Sequence, residues 1–264
     1  MIAEIICVGT ELLLGDILNT NAQFIAKKLA HLGFVVHYQT VVGDNPDRIR
    51  KALDIAFDRA DFVVMTGGLG PTKDDLTKEM LAKYFNRKLI LDEKALANIE
   101  KRARKYGNQP LSESNKKQAY VPENAIILYN EHGSAPGYII EQDFIKNEEP
   151  HKKIAVLLPG PPKEMEPMFS QCCEEHLRQY STETFVSVNV YLQGIGESKA
   201  ADIAGEMLDA ANPTVAPYAK DMGMHFRVTA AAKDQAAAAA MIKPVVTELQ
   251  NRLGQYIVKI SDPE

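Results

Sequence analysis

Apolar and polar positions along the 264 residues follow two periods in turn. IAEIICVG, FVVHYQTVVG and DFVVMT are short apolar runs bounded by Gly, Asp or Asn, the pattern of buried strands. Between them, NAQFIAKKLAHLG has helical spacing and a stop at Gly33, and PDRIRKALDIAFDRA puts Ile49, Leu53 and Ala56 on one face. Strand and helix in alternation predict consecutive βαβ units and hence a mostly parallel sheet in an α/β domain. LTKEMLAKYF and EKALANIEKRARKYG continue as helices, whereas GNQPLSESNKKQAYVPENA is polar and irregular, a candidate loop on the substrate side. AIILYN, PGYIIEQ and KKIAVLLPG supply three further strands, the last two joined by a charged turn around IKNEEPH, and KEMEPMFSQCCEEHLRQ predicts a helix.

The pattern changes near residue 182. FVSVNVYLQG alternates as a strand, GESKAADIAGEMLDAA is helical, PTVAPYA and MGMHFRVTAAA are strands, DQAAAAAMIKPVVTELQNRLG is a helix despite Pro244, and YIVKI is a last strand. The order β-α-β-β-α-β predicts a small α+β split-βαβ domain, a topology that by itself implies no function. Two domains follow, residues 1–175 and 182–264.

With 45% apolar and 25% charged residues the chain has the composition of a soluble globular protein. A net charge of −5 without a dense Lys/Arg block argues against binding long nucleic acid and leaves small anionic ligands open. Cys7, Cys172 and Cys173 have the spacing of neither a disulfide framework nor a zinc site, which fits a reducing cytoplasm. The N-terminus does not read as a signal peptide, and no segment has the length of a membrane span.

Candidate chemistry concentrates in TGGLGPTKDDLTKE, residues 66–79, a strand-turn-helix junction. Gly67, Gly68 and Gly70 permit positive φ and let a ligand approach the backbone, and the helix start offers unpaired amides and the positive end of a dipole to a phosphate. Asp74 and Asp75 in the same turn would repel a phosphate unless a divalent cation lay between them; equally, one could cap the helix and the other complement its dipole. Three more turns close strands of the same sheet and are expected to converge, since ligands bind at the carboxyl ends of parallel strands. GTELLLGDILNTNAQ carries Glu11 and Asn19, the latter read most simply as a helix cap. VGDNP carries Asp44, a cap or a second acidic ligand. LLPGPPKEM carries Gly160 and Lys163, a lysine able to neutralise a phosphate or simply a solvated one. Neither a P-loop nor a dinucleotide GxGxxG fingerprint is present.

In order along the chain, GTELLLGDILNTNAQ, VVGD, TGGLGPTKDDLTKE, NKKQAYVP, GSAPGY and LPGPPKEM resemble the CinA (competence/damage-inducible protein A) family. Its N-terminal domain is similar to molybdopterin-binding proteins of the MoaB/MogA type, and QGIGES, NPTVAPYAK and MHFRVTA resemble its KH-like middle domain. The resemblance implies a three-layer MoaB/MogA-like domain followed by a KH-like one, in a homo-oligomer expected to be a dimer. It also implies a metal-dependent pyrophosphatase that hydrolyses ADP-ribose to AMP and ribose 5-phosphate. In that expectation Asp44 and Asp75, with Asp74 or Glu11 assisting, hold Mg²⁺, Co²⁺ or Mn²⁺. Gly67, Gly68, Gly70, Thr72, Lys73, Asn19, Gly160 and Lys163 bind the substrate, and Asp75→Asn abolishes phosphate release. The rival expectations are an enzyme acting on FAD or another dinucleotide, and a molybdopterin- or nucleotide-binding protein with little catalysis. Many family members continue into a nicotinamide-mononucleotide deamidase domain; the chain is expected to lack that activity. RNA binding by the KH-like domain is not expected, because the chain is acidic and has no basic GxxG loop.

Overall fold

The computed structural model describes residues 1–104, 111–146, 149–181, 183–220 and 223–261. It divides into two units, one of residues 1–30 and 34–180 and one of residues 31–33 and 181–264. The first unit runs β1 (Ile2–Val8), α1 (Thr10–Leu14), α2 (Thr20–His31), β2 (Val35–Val42), α3 (Pro46–Arg59), β3 (Phe62–Thr66), α4 (Thr77–Tyr84), β4 (Leu89–Leu91) and α5 (Glu93–Ala103). It continues with α6 (Glu113–Lys117), β5 (Tyr120–Pro122), β6 (Ile126–Leu128), β7 (Gly137–Lys146), β8 (Glu149–Leu158), α7 (Pro162–Met168) and α8 (Glu174–Leu177).

The main sheet has the order β2-β1-β3-β8-β7-β6. The pairs from β2 to β8 are parallel, and β8–β7 and β7–β6 are antiparallel, so the expected parallel sheet carries an antiparallel edge. Its centre is buried at consecutive positions: Ile5, Ile6, Val63, Val64 and Val156 are all 0% exposed. Such strands have both faces covered, which is why they read as continuous apolar runs and not as alternating ones. Ile49, Leu53, Ala56 and Phe57 of α3 and Leu81 of α4 share one core cluster with Val63, Met65, Ala155 and Leu157 of the sheet. On α2 the buried stripe is Ala22, Ile25 and Leu29, the i, i+3, i+7 spacing that its sequence shows.

Four local features differ from the sequence expectation. The turn GTELLL holds the short helix α1, none of whose residues is buried. The segment 107–125 contains α6 and β5, β5 pairing with β4 in a two-stranded sheet; residues 105–110 lie outside the described residues, as do 147–148 of the charged turn between β7 and β8. The helix expected after Pro162 contains Pro167, which cannot donate to the carbonyl four residues back, and its path changes to a π-turn over Phe169–Cys173 before α8. Finally, α4 begins at Thr77, with a loop of six residues, Pro71 to Leu76, between Gly70 and the helix.

The second unit runs β9 (Thr184–Leu192), α9 (Glu197–Ala204), β10 (Thr214–Lys220), β11 (Gly223–Ala232), α10 (Gln235–Leu253) and β12 (Ile257–Ser261). These strands form an antiparallel sheet in the order β10-β11-β9-β12. Val190, Phe226 and Val228 on one face pack with Ala200 of α9 and Ile242 and Leu249 of α10, giving this unit its own core. Asp234 caps α10 by accepting from Ala237 N at 2.8 Å.

Candidate functional site

Parallel pairing brings the carboxyl ends of β2, β1, β3 and β8 to one edge of the sheet, and the four turns singled out in the sequence leave from there. Gly67 and Gly68 both have positive φ, +101° and +66°. A Cβ on Gly67 would stand 2.1 Å from the carbonyl oxygen of Val8, and one on Gly68 would stand 2.0 Å from Thr77 Oγ1. Both glycines are therefore demanded twice, by backbone conformation and by space. Gly67 N donates to Leu158 O at 3.1 Å, and Gly160 lies close enough that a Cβ there would meet Gly67 Cα at 3.4 Å. The loops after β3 and β8 thus meet.

Asn21 fastens them. From the first turn of α2 its Nδ2 donates to Thr66 Oγ1 at 3.0 Å and to the carbonyl of Gly160 at 2.7 Å, while Thr66 Oγ1 donates to Pro159 O at 2.6 Å. Asn21 Oδ1 and Thr77 Oγ1 are buried and have no hydrogen-bond partner among the described residues. Buried polar atoms normally have partners, so two orphans beside one glycine turn mark a place for a polar ligand or water.

A cleft of about 290 Å³ adjoins this turn, lined by Arg102, Asn115, Gln118, His132, Ser134 and Lys163. Gln118 belongs to both features, because its Nε2 donates to Leu69 O at 3.0 Å. Nearby, Lys117 Nζ donates to the carbonyl of Asp75 at 2.7 Å and pairs with Glu79 at 3.3 Å, and Lys78 Nζ donates to Lys117 O at 2.6 Å. The α6 segment is thereby moored to the glycine turn. On the cleft's other wall, Asn130 Oδ1 accepts from His132 N and Gly133 N at 2.9 and 2.6 Å, and its Nδ2 donates to Glu164 at 2.9 Å, shaping the HGSAPG loop.

The residues expected from the sequence fall into three groups. Gly67, Gly68, Gly160 and Lys163 lie at the turn or on the cleft. Asn19 caps α2, its Oδ1 accepting from Ala22 N at 3.1 Å, and also bonds to the Cys7 thiol, whose pKa burial nevertheless raises. The two aspartates at the strand ends, Asp75 and Asp44, each accept hydrogen bonds from a threonine of the site's loops. Asp75 Oδ2 accepts from Thr72 N at 2.8 Å and Thr72 Oγ1 at 2.6 Å, closing the loop after Gly70, whose own Cβ would stand 2.4 Å from that oxygen. Thr72 N is consequently turned to Asp75. Asp44 Oδ2 accepts from Thr10 N and Thr10 Oγ1, each at 2.9 Å, joining the ends of β1 and β2; the cap of α3 is Asn45. Lys73 and Asp74 are exposed in the loop, and Glu11 is exposed on α1. Since β2 and β3 flank β1, their ends stand about 10 Å apart. Among the described residues no three His, Cys, Asp or Glu side chains converge as a metal site.

Residues 4–179 match the family described as "Probable molybdopterin binding domain", and residues 188–258 match "Damage-inducible protein CinA KH domain". The chain belongs to the CinA family. A relative from Clostridium acetobutylicum, named as a competence-damage inducible protein, is 48% identical over 99% of this chain and 62% of its own length. One of the same name from Clostridium botulinum is 51% identical over 97% of this chain and 61% of its own. The CinA chain thus spans a little over three fifths of these curated relatives. The crystal structure of a CinA protein of unknown function from Thermoplasma acidophilum is 39% identical, with a TM-score of 0.57 over 67% of this chain and 97% of that one. Among the described residues, no helix is long and apolar enough to cross a membrane.

These findings overturn the expected activity. The family that covers the first unit is described by binding, and the carboxylates assigned to a catalytic metal are engaged in closing their own loops. Metal-dependent ADP-ribose pyrophosphatase activity is accordingly replaced by the binding reading set beside it. Three residues that organise the site, Asn21, Gln118 and Lys117, were not singled out from the sequence; NKKQAYVP, which contains two of them, was the available signal.

Proposed function

We propose that the first unit of this CinA-family chain binds a phosphorylated small molecule, a molybdopterin or a nucleotide, and binds it without cleaving it. The ring system occupies the cleft between Asn115, Gln118 and His132, and the phosphate is held at the glycine turn. The carrying observation is the bond from Gln118, a residue of the cleft wall, to Leu69 O inside the turn. Arg102 and Lys163 set two cations on the cleft against the single carboxylate of Glu164, a balance that favours an anion. The orphaned Asn21 Oδ1 and Thr77 Oγ1 support a polar guest at the same place. The family description supports the pterin class, and nucleotides share with it a flat heterocycle carrying phosphate.

Isothermal titration with molybdopterin, AMP, FAD and ADP-ribose, each with and without Mg²⁺, tests this reading. Saturable one-to-one binding of a phosphorylated compound is expected, with no binding of adenosine and at least tenfold weaker binding in Lys163→Ala. Failure of every phosphorylated ligand to bind, or equal binding of AMP and adenosine, contradicts it.

A further inference from the structure

Of the described polar residues that line the cleft, only Gln118 is buried, at 3% exposed; Arg102, Asn115 and Ser134 are half-buried, and His132 and Lys163 are exposed. The orientation of its amide is settled by its partner. Nε2 donates to Leu69 O at 3.0 Å, and because a main-chain carbonyl can only accept, the end of the amide that meets it must be the nitrogen. The other end is then the carbonyl oxygen, Oε1. No described residue donates to Oε1, and it is not among the unpartnered atoms sealed from solvent. A buried side chain on the cleft wall that keeps one accessible, unbonded acceptor presents that acceptor to the cleft.

The backbone around Gln118 is held as firmly. Gln118 N donates to Asn115 O at 3.1 Å and Ala119 N to Lys116 O at 2.9 Å, and Ala119 is packed with Ala95 and Ile99 of α5 in a small core of its own. An acceptor fixed at both its main chain and its side chain loses little freedom on meeting a ligand. It also discriminates sharply, because a ligand that covers it without donating leaves a desolvated oxygen unpaired. Asn130 beside the cleft has no such capacity left: its Nδ2 donates to Ala135 O and Glu164, and its Oδ1 accepts from two backbone amides.

We propose that Gln118 is the specificity-determining residue of the cleft, its Oε1 accepting from an amino group on the heterocycle of the ligand. The site then selects amino-bearing bases and pterins over analogues that carry hydrogen or a carbonyl at that position. This rests on the binding reading above and adds which heterocycle is taken. Isothermal titration of the parent chain and of Gln118→Met with two matched pairs tests it. One pair is AMP and purine riboside 5′-monophosphate, which lacks the amino group; the other is a pterin monophosphate and its lumazine counterpart, which has a carbonyl in place of the amino group. The amino-bearing member of a pair is expected to bind the parent at least tenfold more tightly. In Gln118→Met, which keeps the length of the side chain without its oxygen, the preference should fall below threefold. Loss of the bond to Leu69 O weakens both members alike and cancels in the ratio. Circular dichroism checks folding, and Gln118→Leu serves if the methionine variant misfolds. Members of a pair that bind the parent equally overturn the assignment and leave phosphate binding standing. A preference that survives in Gln118→Met also overturns it, passing the role to Glu164, the other acceptor on the cleft. If no member of either pair binds, the binding reading fails and the assignment falls with it.

Discussion

Asn21 Nδ2 lies 2.7 Å from the carbonyl oxygen of Gly160, so the first turn of α2 holds the loop that leaves β8. The same nitrogen reaches Thr66 at the end of β3. One amide therefore sets the distance between the two loops that form the candidate anion site.

Asn21→Ala removes both bonds and leaves Gly160 O short of a donor. A loss of about 1–3 kcal/mol in stability is expected. Urea unfolding should show a lower midpoint with an unchanged m-value, since no additional surface is exposed. A midpoint within error of the parent chain would mean that other contacts fix these loops.

Asp75→Asn separates two roles for that residue. As a loop-closing acceptor, Asp75 can be replaced by Asn, whose carbonyl still accepts from Thr72, and removal of a negative charge beside a phosphate does not weaken its binding. Ligand affinity within threefold of the parent, equal in Mg²⁺ and in EDTA, is the expected titration result. A tenfold loss confined to Mg²⁺ buffer would instead assign Asp75 to a bound cation.

Lys78 is 4% exposed, and burial pulls its pKa from 10.5 down to about 8, with Lys117 adding to the effect and Glu79 opposing it. Below pH 8 both folded and unfolded chains carry the charge, and burying it costs about 3 kcal/mol. Between about 8 and 10.5 the unfolded chain binds more protons, so this contribution to stability rises with pH. Buried Cys173 and Tyr138, whose pKa values are raised, act in the opposite sense at alkaline pH. Denaturation of Lys78→Met from pH 7 to 10 should therefore show stability falling more steeply than in the parent. Parallel curves would show that Lys78 gains its charge at an ordinary pKa in the fold.

Much of the frame was legible in the sequence because burial leaves a periodic trace. β3 and residues 154–158 of β8 are buried throughout and appear as unbroken apolar runs, β1 is interrupted only by Glu4, and α3 shows its buried stripe in Ile49, Leu53 and Ala56. Gly67 and Gly68 were legible as a turn that admits no side chain. The helix α1 buries none of its residues, and β4 and β5 have three residues each, too few to show a period. The acidic residues carry less local information. A carboxylate that closes a loop on Thr72 or Thr10 has the same residue type and spacing as one that holds a metal. Asn21 and Gln118 act across 139 and 49 residues of sequence, a separation that no local pattern records.

The most direct test of ligand binding at the glycine turn is a paired titration and product assay on the parent chain and Gly68→Ala. Alanine at φ +66° with its Cβ 2.0 Å from Thr77 Oγ1 must shift the turn, whereas Gly15→Ala, at φ +77° with nothing within 4 Å, controls for backbone strain alone. Binding of molybdopterin or a nucleotide by the parent and by Gly15→Ala, at least tenfold weaker binding by folded Gly68→Ala, and intact ligand recovered by chromatography are predicted. Equal affinity in Gly68→Ala, or AMP released from ADP-ribose by the parent chain, would contradict it.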